Sequence, residues 1–184
     1  MERLRKILLV SDALYLLSGG LLGPIYALFV DRIGGDLLDA SFTSALFLLT
    51  AGTVVLVLGL WEDKSKHQRK FVIAGYGVGV LGTFGYLFVN STAALFAVQA
   101  VLGLSVALKD PAYDALFSKS GKHLALAWGA WEATDYWALG AGALLGGLVA
   151  QSFGFQTLLW CMFILSIFSF TASMFLIRLK EKTA

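Results

Sequence analysis

Three acidic residues stand inside long apolar runs of this sequence: Asp12, Glu132 and Asp135. No Lys or Arg lies in the same stretches, residues 7–30 and 124–150. An ionised carboxylate in the middle of a membrane helix costs about 2.5–3.5 kcal/mol on insertion scales, so each acid needs a proton, a cation or a wet cavity. Glu132 and Asp135 are three apart and so are neighbours on a helix surface. A second negative charge there is opposed by the first, an arrangement suited to taking up and releasing a proton. Asp12 falls on one helical stripe with Tyr15, Gly19, Gly23 and Tyr26, and a second stripe holds Gln99, Gly103, Val106 and Asp110. Trp128 and Trp131 lie beside Glu132 in helical projection, and aromatic faces near carboxylates suit an organic cation. Substrate or proton binding is therefore expected at Asp12, Tyr15, Gln99, Trp131, Glu132 and Asp135. For Asp12 a plainer role stays open, in which it reaches the nearby water or pairs with Arg5 or Lys6. Asp110 and Asp114 read better as helix-end and gate partners than as ligands.

The elements that must position these groups follow from composition. The chain has 184 residues, 58% hydrophobic and 14% charged, against roughly 25% charged in an average soluble domain. Too few charges remain to coat a soluble particle, which excludes a water-soluble enzyme, a disordered chain and a nucleic-acid-binding module. Runs long enough to cross about 30 Å of hydrocarbon occur at about 7–30, 40–60, 71–89, 92–117, 124–150 and 155–177. A β-barrel is excluded because these runs are continuous, without a period of two. The expected fold is all-α, one domain over 1–184 with six membrane helices. The first run is too long for the core of a signal peptide and is expected to remain as a helix. Thirteen of the 14 basic residues fall at the amino end, in the segment after span two, in the loop region that closes span four (Lys109, Lys119 and Lys122), or in the tail, leaving only Arg32 on the other side. Since Lys and Arg near helix ends stay on the cytoplasmic side, both termini are expected in the cytoplasm of a cell-membrane protein inserted in one direction.

Other motifs carry less. Cys161 is alone, so no internal disulfide can form, and no Cys or His spacing suggests a metal site. His67 and His123 read as loop and interface residues. Gly77-Val78-Gly79-Val80-Leu81-Gly82 fits G-x-G-x-x-G in letters only, because no soluble strand precedes it. With Gly75 and Gly85 it reads as a surface for close helix packing. The two prolines, Pro24 and Pro111, fall late in spans one and four, the first helix of each expected three-span repeat; interrupted helices in corresponding positions mark transporter cavities.

With the spans placed, local patterns resemble one half of a major facilitator superfamily transporter. The segment after span two, Gly59-Leu60-Trp61-Glu62-Asp63-Lys64-Ser65-Lys66-His67-Gln68-Arg69-Lys70, is similar to G-x-x-x-D-[RK]-x-G-[RK]-[RK], with Gly59, Asp63 and Lys64 in place, Lys66 at the second Gly and the basic pair displaced. Gly142-Ala143-Leu144-Leu145-Gly146-Gly147 resembles the G-P-x-x-G-G signature of the family's antiporters, with Ala143 at the Pro. Gln99 to Ala107 is similar to R-x-x-x-G-x-G-x-A with Gln99 at the Arg, a position linked to proton coupling in family members. The resemblance implies a half-size member built as a 3+3 inverted repeat, completed by a second copy as a parallel homodimer. It further implies a gating role for Gly59, Asp63, Lys64 and Arg69 and a helix-packing role for Gly142, Gly146 and Gly147. The expected function is secondary transport, proton-coupled export of amphipathic or cationic small molecules, with a small-molecule substrate and the lipid bilayer as partners. No nucleic acid, catalytic residue or cofactor beyond the coupling ion is expected. A facilitator or symporter for sugars or other polar metabolites, or a non-transporting accessory subunit, is the alternative.

Overall fold

A computed structural model describes residues 2–62, 67–119 and 123–179. Among them every regular element is a helix, and there is no strand, as the uninterrupted apolar runs demand. Span one comprises Glu2–Leu22, a single 3-10 turn Gly23–Ile25 and Tyr26–Arg32; span two is Leu37–Glu62, span three Gln68–Tyr86, span four Thr92–Ser118, span five Leu124–Phe153 and span six Phe155–Arg178. Among the described residues, spans one, two, four and six are long and apolar enough to cross a membrane. Spans three and five have the length, but glycines and their polar residues dilute their mean hydropathy.

Local chemistry sets the ends. Pro24 has no N–H to give to the preceding turn, and span one breaks there into the 3-10 segment. Pro111 removes the same bond from span four, yet the helix continues through it to Ser118. The expected pair of matching breaks is thus a single one, because Ala112, Tyr113, Leu116 and Phe117 are all buried beyond Pro111 and hold the second helix in register. Asp36 and Asp39 cap span two reciprocally. Asp36 Oδ1 accepts from the Asp39 N–H at 2.9 Å and Asp39 Oδ2 from the Asp36 N–H at 3.1 Å, which starts the helix at Leu37 and not near residue 40. Span three closes at Tyr86 through 3-10 bonds over residues 84–89, and Ser91 Oγ then accepts the Ala94 N–H to open span four. Spans five and six are joined through Gly154 alone, at φ +82° and ψ 166°, a conformation open essentially to glycine.

The six spans interlock. Span one packs on spans five and six, span four packs on spans two and three, and spans three and six pack on each other. Exchanging 1 with 4, 2 with 5 and 3 with 6 maps these contacts onto one another, as two inverted three-span repeats require, although spans five and six also touch without a contact of like extent between spans two and three. Two apolar clusters result. One, around Leu21, Phe29, Tyr86, Leu95 and Leu158, lies at the end carrying Arg32; the other, around Leu8, Tyr76, Tyr113, Phe117 and Leu176, lies at the basic end. Buried hydroxyls tie the layer between them: Ser18 Oγ donates to the Met162 carbonyl at 2.8 Å, Ser169 Oγ to that of Ser11 at 2.6 Å, and Thr83 and Ser166 share a 2.7 Å bond. Small hydroxyl side chains of this kind hold helices together where lipid removes the hydrophobic drive.

Candidate functional site

Spans one and four barely touch each other directly, and a cleft of about 360 Å³ opens between them. Its walls take in part of the two stripes read from the sequence, Tyr15, Gly19, Gly23 and Tyr26 from span one and Gln99 and Val106 from span four, whereas Asp12 and Asp110 lie outside the lining and Gly103 packs against span two. Thr83, Tyr86 and Met162 from spans three and six form its floor, and Phe47 of span two contributes one edge. The surface is mainly hydrocarbon and aromatic, with few polar groups. Of these, Gln99 is fixed: its Nε2 donates to the Tyr26 hydroxyl at 2.6 Å, which donates to Thr43 Oγ1 at 2.7 Å, which donates to the Asp39 carbonyl at 2.7 Å. An amide in the expected place of an arginine thus braces span four against the top of span one.

Toward the basic end the cleft stops at Tyr15, whose hydroxyl shares a 3.1 Å bond with Ser105 Oγ. Behind that ring lies a charge that the sequence reading did not place. Lys109, taken from sequence as part of the basic segment after span four, is a buried residue of the helix, its side chain 7% exposed. Its Nζ donates to Asp12 Oδ1 at 2.7 Å and lies 2.9 Å from Asp110 Oδ1. The Asp12 side chain is 2% exposed. Its oxygens also accept from the Tyr76 hydroxyl at 3.1 Å and from Trp131 Nε1 at 2.9 Å. The open alternative for Asp12 is resolved against Arg5 and Lys6. Lys6 pairs with Glu2 at 2.7 Å, Arg5 lies over the Phe117 ring, and the cation comes from 97 residues further along the chain. The Lys109 ammonium also lies 5.1, 5.5 and 5.5 Å from the ring centres of Tyr15, Tyr76 and Tyr113, within cation–π range.

The packing that admits this lysine is the glycine face of span three. A Cβ on Gly75 would lie 2.7 Å from Lys109 Cβ, and one on Gly79 would lie 2.7 Å from the Tyr15 ring, so both approaches need glycine. Lys109-Asp110-Pro111 reads as a helix end, which is why sequence reasoning missed the site. The signal that could have found it is the apolar period continuing past Pro111, with Lys109 one turn before buried Tyr113.

Span five divides its expected site residues. Trp131 joins the Asp12 cluster, but through its N–H and not through its ring face. Asp135, one turn further on, is half-buried, and its Oδ1 is enclosed with no hydrogen-bond partner among the described residues. Glu132 is exposed on the outward side of the helix and is not brought into the cluster. Gly142 and Gly146 seat span five on span one: a Cβ on Gly142 would lie 2.8 Å from the Leu17 carbonyl oxygen, and one on Gly146 would overlap that of Leu21. Gly147, expected to share this role, has nothing within 4 Å of its Cβ position, because it points off the seam.

Of the expected gating residues, Asp63 and Lys64 lie outside the described residues. Gly59 has open space around its Cβ position. Arg69 is tied to the end of span six: its Nη1 donates to the Leu179 carbonyl at 2.5 Å and lies 3.5 Å from that of Leu176, where a cation satisfies the last carbonyls of that helix.

The family model of the Major Facilitator Superfamily matches residues 8–184. A comparison with curated proteins gave no match. The chain belongs to the major facilitator superfamily, a family of secondary membrane transporters, and is a multi-pass membrane protein.

Proposed function

We propose, from the chain's membership of the major facilitator superfamily, that it exports amphipathic or cationic small molecules in exchange for protons, as a parallel homodimer in the cell membrane with both termini cytoplasmic. The observation that carries this reading is continuity: Tyr15 is part of the cleft lining and is also one of the rings beneath the Lys109 ammonium. A molecule seated in the cleft therefore presses on the wall of the Asp12 site. The aromatic and aliphatic lining favours an amphipath over a sugar, which needs convergent hydrogen-bonding groups.

Coupling follows from how spans one and four are joined. Their polar ties toward the basic end are the Tyr15–Ser105 bond and the Asp12–Lys109 bridge, with the Gln99–Tyr26 bond joining them at the other end. A proton on Asp12 removes the coulombic part of the bridge and leaves Lys109 with Asp110, so the two repeats are freer to part at the basic end. The carboxylate returns to Lys109 when the proton leaves.

The cleft also supports the dimer. Span two edges it through Phe47, and much of spans two and five lies outside the packed interior, including Leu48, Glu132 and Leu144. Glu132 sits about 12 Å along span five from Leu124, where a carboxylate facing lipid is costly. A second copy related by an axis along the membrane normal covers that face and closes the cleft.

Proteoliposomes test the reading. Under an imposed pH gradient, the protein is expected to move ethidium against its concentration gradient, and a protonophore is expected to stop it. Asp12→Asn is expected to lose the dependence on the gradient. Glucose flux indifferent to pH, with no ethidium movement, would establish the facilitator reading instead.

A further inference from the structure

The Asp12 site holds more negative charge than positive. Two carboxylates, Asp12 and Asp110, share one ammonium, that of Lys109, and Asp135 stands close by on span five. Around the ammonium the chain supplies what a free organic cation requires: a carboxylate and the rings of Tyr15, Tyr76 and Tyr113 at 5.1–5.5 Å. The Tyr113 hydroxyl is buried at the same place with no hydrogen-bond partner among the described residues. A lysine needing only a counter-ion would be served by Asp12 alone; three rings round one ammonium make a cage for a cation.

We infer that this cage is a binding site for organic ammonium ions, and that Lys109 occupies it as a tethered stand-in which the ligand must displace. The inference rests on the transport reading above and names how its substrate is recognised. Lys109 has somewhere to go: Asp110 already lies 2.9 Å from its Nζ, and the Asp110 side chain is 46% exposed against 7% for Lys109. When a ligand ammonium takes its place at Asp12, Lys109 pairs wholly with Asp110, and each carboxylate then has a cation of its own. The exchange therefore leaves no buried charge unpaired, the condition under which a buried ion pair can change partners without the large desolvation penalty. Tyr15, shared by cleft and cage, is the passage between them.

The test is equilibrium binding of benzyltrimethylammonium to the purified full-length protein, by titration calorimetry. Lys109→Met and Lys109→Ala remove the stand-in and are expected to bind the probe at least about tenfold more tightly than wild type. Asp12→Asn combined with Lys109→Met is expected to lose that gain. A folded Lys109→Met or Lys109→Ala protein that binds no more tightly than wild type overturns the proposal. If neither variant folds, wild type decides through reductive methylation of Lys109 read by peptide mass. Saturating probe is expected to speed methylation as the amine moves out to Asp110, and an unchanged or slower rate overturns the proposal. Tight probe binding by the lysine variants with no flux in wild-type proteoliposomes would reject the transport reading alone, whereas proton-driven ethidium flux without the gain in binding would reject the cage alone.

Discussion

At the scale of single residues, the Asp12–Lys109 bridge makes demands that a surface pair would not. Removing one partner leaves the other charge buried, which costs about 3–5 kcal/mol, while replacing both restores neutrality. Asp12→Asn and Lys109→Met are therefore each expected to lower the thermal unfolding temperature in detergent sharply, and the double variant to recover most of the loss. Additive losses in the double variant would show that the two side chains do not act as a pair. Gln99→Ala is a contrasting case. It removes one hydrogen bond to Tyr26, worth about 1 kcal/mol, but strips the cleft of its only amide, so it is expected to alter KM for transport far more than stability. Asp12, Tyr15 and Gln99 were legible in the sequence because a polar group in an apolar run stands out. Lys109 was not, since a cation followed by Asp and Pro looks like the ordinary end of a membrane helix, and only the three-dimensional fit against Gly75 shows that it turns inward. The orientation of Glu132 was equally hidden: spacing places two acids on neighbouring positions, but which side of span five meets span one is decided by Gly142 and Gly146.

At the scale of elements, the spans themselves were readable from apolar length, and the basic segments between them from charge. The joins were less so. The reciprocal caps of Asp36 and Asp39 and the passage of span four through Pro111 depend on bonds and packing that composition does not report. Two predictions belong here. Gly146→Ala places a methyl group onto the Leu21 carbonyl, whereas Gly147→Ala meets open space; the first is expected to unfold at a lower temperature and to lose transport, the second to behave as wild type. Equal behaviour of the two would show that span five does not lie on span one through this seam. Gly154→Ala has room for its methyl group but forces an L side chain into a backbone region reserved for glycine, at a cost of about 1–3 kcal/mol. Its unfolding temperature is expected to fall even though no contact is lost.

At the scale of the whole molecule, the proposed dimer makes the chain one wall of a vessel. The open faces of spans two and five lead to a cross-linking prediction in native membranes, with Cys161 replaced by Ser. Leu144→Cys on span five is expected to join two copies, and Leu81→Cys, exposed on span three, is not. Cross-linking through span three but not span five would overturn the dimer geometry. The interlocked repeats also have a consequence for biogenesis. Span one is made before spans five and six, yet those two are its main neighbours, and the cation for its acid is 97 residues behind it. Until Lys109 has been made, Asp12 lacks the cation that it holds in the folded protein. A chain stopped after span four would leave span one without the two helices that pack on it.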